Sequence, residues 1–465
     1  MTCVIGVAMA QYVPAGWFGH GLYLVAALIL LAIGLIFRRM VLIVACVFGG
    51  LLLGLWRGSA QQADLQAYDS LISTVATITG VVREDVDTRP DGTYVLRIGE
   101  VQYGSVGLPG VIWVVVADAH SVQRSDSVTI RGTMTAGFGN NAATFYRAEL
   151  LRAERPYPGD VALTVRNWFG GSVREHIAEP QSSLGLGFLL GERRSLPAEL
   201  EESLRTVGLT HIIVASGYNL TILVRFARRI FVKVSRYAAL LAAGGMVASF
   251  IAITGMSPSM SRAGLVAGLS LLAWYYGRTF HPLVLLPFAA AVTVLVNPSY
   301  AWGDTGWQLS FTAFFGVMVV APLLQAYFFG AKKPTFIRQI MGETIAAQLA
   351  TAPILIATFG QLSSMALLAN LVILPFVPLA MMLVFATGVV STVLPLIATA
   401  VSLPAQWLLT YMTTIVTWIA ELPWAMMQFS VNGWFVGVYY IVLGGLCVYI
   451  WHASGYRLRD SNIIE

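Results

Sequence analysis

Gly208-Leu209-Thr210-His211-Ile212-Ile213-Val214-Ala215-Ser216-Gly217-Tyr218-Asn219-Leu220-Thr221 places His211, Ser216, Asn219 and two glycines inside a run that is otherwise apolar and membrane-like. Hydrocarbon tolerates such polar side chains poorly, so they line a cavity, a helix contact or a pathway. Around this stretch the composition is consistent: of 465 residues, 57% are hydrophobic and 11% charged, and the mean hydropathy is +0.74. Soluble domains carry roughly 25% charged residues. The chain therefore reads as a polytopic α-helical membrane protein.

Lysine occurs only at Lys233, Lys332 and Lys333, and arginine supplies the other positive charges. The net charge of +5 is read as a topology signal rather than as nucleic-acid affinity. Cys3, Cys46 and Cys447 form neither a disulfide framework nor a metal-ligand spacing. No positive n-region precedes the first apolar run, so the first spans are expected to stay.

Residues 1–60 are expected to form a transmembrane hairpin, from apolar runs Gly21 to Phe37 and Met40 to Trp56 on either side of Arg38 and Arg39. From 70 to 155 the pattern becomes that of a β domain, with candidate strands Ser73–Val82, Thr93–Val101, Val111–Ala117, Ser127–Thr133 and Thr144–Leu151. Turns such as Pro90-Asp91-Gly92 and Gly137-Phe138-Gly139-Asn140-Asn141 separate them. The fit is to a small inserted five-stranded β-barrel of the OB type, with a five-stranded sandwich as the competitor.

Residues 160–207 read as an amphipathic interfacial region, with Arg166, Arg174, Glu175 and His176 opposite Trp168, Phe169 and Val173. Apolar runs then recur over 208–452, and 453–465 is expected to be a cytoplasmic tail. Clustered arginines at 225–236, then Arg278, then Lys332, Lys333 and Arg338 set the inner side. Met365 to Leu403 is expected to hold more than one crossing. A re-entrant segment at Pro375 to Pro378 would restore the parity of the topology.

If the stretch around His211 is helical, Ala215, Tyr218 and Asn219 share its face. That stripe suits either a lumen wall or hydrogen bonds between helices. Ser216-Gly217 invites comparison with intramembrane serine proteases, but Val214 stands where their loop has glycine. Arg262 begins an apolar helix, where the dipole disfavours a cation and calls for a nearby anion or water. Asp304 is one candidate partner. Asn297-Pro298 ends a helix, and Gln308 and Ser310 follow the Trp302 to Trp307 link, whose tryptophans are read as interfacial anchors. Gln361, Ser363, Ser364 and Asn370 make a further polar interruption, and Glu343 and Gln348 stand near another span's start.

There is no GxxxxGK[ST] loop, so the chain is not a motor of that type. No local motif assembles a dinuclear metal site, no cofactor is expected, and the chain reads as a non-enzyme.

Three ordered blocks resemble the membrane domain of the ComEC competence proteins: Gly208 through Asn219, Ser261-Arg262-Ala263, and Asn297-Pro298 through Gly306-Trp307-Gln308-Leu309-Ser310-Phe311. Ser363 to Pro375, with Asn370, resembles a fourth. The resemblance implies an inner-membrane channel that takes single-stranded DNA into the cytoplasm during natural transformation. It also implies an extracytoplasmic OB domain, a cytoplasmic helicase or ATPase motor, and an extracytoplasmic DNA receptor. Many relatives carry a metallo-β-lactamase-like domain proposed to degrade the other strand. Here the sequence ends about fifteen residues after its last apolar run, so the expectation is that this nuclease is absent, separate or unnecessary.

The expected path candidates are His211, Ser216, Tyr218, Asn219, Arg262, Asn297, Asp304, Gln308, Ser310 and Asn370. Residues 70–155 hold eight arginines, no lysine and nine acidic residues, which weakens a simple electrostatic DNA groove. Tyr94, Trp113, Phe138, Phe145 and Tyr146 are candidates for base stacking, against ordinary core packing. The alternatives for the whole chain are a small-solute secondary transporter and an intramembrane hydrolase.

Overall fold

The computed structural model describes residues 1–36, 40–89, 91–192, 195–213, 217–255, 257–278, 282–330 and 334–456. It divides into two compact units, one of 1–160 with 287–308, the other of 161–286 with 309–465.

The first unit opens with α1 (Thr2–Ala10), α2 (Gly21–Ile36) and α3 (Met40–Leu65). Gly50, Gly54 and Gly58 recur every four residues along α3, one face of a helix. A Cβ on Gly54 would lie 2.1 Å from the Cys3 carbonyl oxygen, and one on Gly6 would lie 2.2 Å from that of Leu51. The two helices therefore touch backbone to backbone, the contact that small residues allow in a membrane.

Seven strands follow: β1 (Val75–Val82), β2 (Asp87–Thr88), β3 (Tyr94–Tyr103), β4 (Val106–Leu108), β5 (Ile112–Val116), β6 (Ser127–Ala136) and β7 (Ala143–Glu154). Five of them run β1-β6-β7-β5-β3, and β3 pairs back onto β1, so the sheet closes into a barrel. Every one of these pairings is antiparallel except β5 with β7. The short strands β2 and β4 attach to β3. Alternation fills the interior: Ile78, Leu96, Ile98, Ile112, Ile130, Met134 and Phe145 are each under 2% exposed. Tyr68, in a 3-10 turn after α3, enters the same core and donates its hydroxyl to Pro109 O at 2.8 Å. The sandwich alternative is thereby excluded.

The second unit contains α4 (Val161–Arg174), α5 (Gln181–Leu190), α6 (Ala198–Thr206), α7 (Thr210–Ile213), α8 (Gly217–Phe231), α9 (Arg236–Thr254) and α10 (Pro258–Tyr275). The helix α11 (Pro282–Val296), the short α12 (Tyr300–Gly303) and the first residues of α13 (Thr305–Phe315) carry the chain through the first unit and back. A π-helical turn, Gly316–Val320, leads into α14 (Ala321–Phe329), and α15 (Phe336–Phe359) follows. The series closes with α16 (Ala366–Ile373), α17 (Val377–Val393), α18 (Pro395–Ala420) and α19 (Trp434–Ser454). Among the described residues six helices are long and apolar enough to cross a membrane, and the chain is a multi-pass membrane protein.

Two expectations change here. Within 160–207, α5 is not an exposed amphipathic helix: every residue from Ser182 to Leu190 is buried, in one core with α6, α7, α16, α17 and α18. Small residues allow this enclosure, since a Cβ on Gly185 would meet Val384 and Leu409 side chains at 2.7 and 3.1 Å. Arg166 of α4 is also buried, and donates to Ile253 O at 3.5 Å. Second, Pro375 lies in a 3-10 turn, Leu374–Phe376, and Pro378 in the first turn of α17, inside one helical stretch from Ala366 to Val393 that is long enough to cross once. What remains of the Met365 to Leu403 run begins α18.

Candidate functional site

The expected path residues separate between the units. In the second unit, His211 sits exposed on α7, and its Nδ1–H donates to Gly208 O at 3.1 Å. Gly208 holds φ +77°, and a Cβ there would meet Ala366 at 2.9 Å and Ser363 at 3.1 Å. The backbone before α7 thus packs directly on the segment entering α16. Ser216 lies outside the described residues.

The proposed stripe does not form as a single face. Tyr218 is exposed, and its hydroxyl reaches Leu374 O, in the 3-10 turn, at 3.5 Å. Asn219, by contrast, is fully buried, with Nδ2 donating to Phe188 O and Ile212 O, each at 3.1 Å. As a wall residue it is corrected: it ties α8 to α5 and α7.

Arg262 is 4% exposed near the start of α10, with its guanidinium over the Phe311 ring at 5.7 Å. Ser257 caps that helix by accepting from Met260 N at 3.3 Å. Ser310 is exposed on α13. Asn370 is buried on α16, and its Oδ1 has no hydrogen-bond partner among the described residues. Leaving such an oxygen unsatisfied costs about 1–3 kcal/mol.

The polar interruption at 361–364 has a specific cause. Gln361–Ser363 pairs antiparallel with Met426–Gln428, a two-stranded ribbon joining the ends of α15 and α18. Ser364 Oγ donates to Trp424 O at 2.5 Å, and Gln348 Nε2 donates to Ser363 O at 2.9 Å. These side chains and strand pairs satisfy backbone that leaves the helical ladder, a requirement at membrane depth.

In the first unit, Asn297 Oδ1 accepts from Ser299 N at 3.1 Å and closes the turn after α11. Gln308 Nε2 donates to Ala301 O at 3.3 Å. Asp304 accepts from Trp307 N at 2.6 Å, capping α13, and from Asn140 Nδ2 at 3.0 Å. Trp307 is buried and donates to Thr293 Oγ1 at 2.9 Å, so it is a core residue and not an interfacial anchor. Arg57 of α3 donates to the Leu295 and Val296 carbonyls at the end of α11. Sequence reading missed Asn140 and Arg57, whose partners lie 164 and 238–239 residues away.

On the barrel, Phe145 is fully buried and Tyr94 nearly so, its hydroxyl bonded to His120 Nδ1. Neither can receive a base without unfolding, so both are corrected to core residues. Trp113 is half-buried, with the Arg97 guanidinium 5.2 Å above its ring and Phe138 edge-on at 5.3 Å. Tyr146 and Phe138 are exposed. Arg83, Arg97, Arg124, Arg152 and Arg155 are each ion-paired with a carboxylate. The barrel's positive charge is thus largely neutralised in place. Burial raises the Glu84 carboxyl above its ordinary value, Arg97 pulls it back, and Asp87 and Asp304 push it further up.

Among the described residues no group of three or more His, Cys, Asp or Glu is placed to hold a metal ion. A family model described as "Competence protein" matches residues 188–453. "ComE operon protein 3" of Bacillus subtilis (strain 168) is 25% identical over 215 residues, covering 44% of this chain and 27% of that protein. An "Uncharacterized protein" of Aquifex aeolicus (strain VF5) is also 25% identical over 215 residues, covering 46% of this chain and 49% of the relative. The chain thus spans about a quarter and about half of the lengths of these two curated relatives. No solved structure matches.

Proposed function

The chain belongs to the competence protein family, and we propose on that basis that it is an inner-membrane channel for single-stranded transforming DNA. The observation that carries the reading is the family match over 188–453, most of the second unit, in a chain whose first unit holds a closed five-stranded barrel. DNA transit requires a hydrated path whose groups attract phosphate without binding it tightly. Exposed Tyr218, whose hydroxyl reaches Leu374 O in the 3-10 break between α16 and α17, is the best supported part of such a path. His211, Arg262 and Ser310 are further candidates. The barrel, placed outside the cytoplasm, receives DNA through Trp113 and Tyr146 rather than through a basic groove.

Driving force comes from a cytoplasmic helicase or ATPase motor. An extracytoplasmic receptor delivers the strand. The test is uptake of labelled transforming DNA in a deletion strain complemented with wild type, His211→Ala or Arg262→Ala, with membrane expression checked. Loss of cytoplasmic label on deletion, restored by wild type but not by the variants, is the expected result. Normal uptake without the protein would remove the DNA reading.

A further inference from the structure

From Ser203 to Gly303 the sequence contains no aspartate or glutamate. Within that span α8 ends and α9 begins, and the corner gathers Arg225, Arg229, Lys233 and Arg236, all exposed. None of the four forms an ion pair among the described residues. Arg225 and Arg229 stand one turn apart on α8, a spacing at which like charges repel. An external anion would remove that repulsion.

The same corner is apolar as well as basic. Phe231 is 42% and Val234 76% exposed, and Arg236 is the first residue of a candidate membrane span. A nucleic-acid backbone would take the cations and leave these two side chains in water. A lipid surface takes both, with the cations at headgroup level and the apolar groups below it. We propose that the α8–α9 corner is a docking surface for anionic phospholipid headgroups. The inference does not depend on the transport reading.

Native mass spectrometry of the purified full chain, titrated with short-chain phosphatidylglycerol or phosphatidylcholine, reads the preference directly. Wild type retains phosphatidylglycerol over phosphatidylcholine. Arg229→Gln with Lys233→Gln lowers that preference about fivefold per cation removed. Lys233→Gln alone, in the turn between the helices, keeps the test readable if the double variant does not fold. Equal retention of the two lipids by wild type, or an unchanged preference in either variant, overturns the proposal. So does displacement of phosphatidylglycerol by a single-stranded oligonucleotide or by inorganic phosphate at comparable concentration, which would assign the corner to nucleic acid or to a free anion.

Discussion

Asn140, in the β6–β7 loop, donates to Asp304 at 3.0 Å, and the same carboxylate caps α13 through Trp307 N. Beside this bond Gly139 and Gly303 meet so closely that a Cβ on Gly303 would lie 2.0 Å from the Gly139 carbonyl oxygen. One carboxylate thus fixes both a barrel loop and the start of a helix. Asp304→Ala should lose the cap, about 1 kcal/mol, together with a charge-assisted bond of about 1.5–3 kcal/mol. Asn140→Ala should lose only the second. A double-mutant cycle by thermal unfolding checks this, with a coupling of about 0.5–3 kcal/mol expected.

Gly303→Ala should also destabilise the contact, because the added Cβ fits only if the two loops separate. Overpacking of this kind typically costs about 1–3 kcal/mol. Proteolytic susceptibility of the 137–142 loop in the full chain reports it, and an unchanged cleavage rate would show that the contact is dispensable.

The barrel aromatics should divide by burial. Phe145→Ala, which empties a fully buried site, should cost about 3–5 kcal/mol. Tyr146→Ala, on an exposed ring, should leave stability within about 0.5 kcal/mol. If Tyr146 stacks a base, the same change weakens single-stranded DNA binding by about 1–3 kcal/mol. Unaltered binding would confine Tyr146 to the surface.

Glu84 gives a pH signature. Its carboxyl is raised in the folded state, mainly by burial, so the folded form holds the proton more tightly than the unfolded one. Its contribution to stability is full below the unfolded value, ordinarily near 4.3, and is lost as pH rises through the higher folded value. Glu84→Gln should flatten that part of the melting-temperature curve. An identical slope in wild type and variant would assign it to other carboxylates.

Gly54→Leu should separate α1 from α3, since any side chain there meets the Cys3 carbonyl. Cysteine crosslinking between introduced residues on the two helices should fall severalfold, and persistence of the crosslink would refute the backbone contact.

The barrel was legible because its signal is local. Each candidate strand overlaps an observed one, and β1 alternates exposed and buried as a half-buried strand must. Membrane character was equally plain from composition. Asn219 was misplaced because its neighbours suggested a polar face, while its two partners, Phe188 O and Ile212 O, are backbone groups that carry no sequence mark. The enclosure of α5 was hidden for a related reason. Its glycines and serines say that neighbours can approach, but not from how many sides. Gln361 and Ser363 looked like cavity residues because their strand partners lie more than sixty residues away.

The ring of pairings that ends with β3 on β1 has a consequence for recognition. An open sheet offers its outermost strand as a template, and a visiting peptide can extend it with main-chain hydrogen bonds. A closed barrel has spent that resource, because its five principal strands are flanked on both sides. Whatever meets this barrel must therefore be read by side chains and loop tips. Exposed side chains such as Phe138 and Tyr146 are where single substitutions can alter the barrel's surface without disturbing its fold.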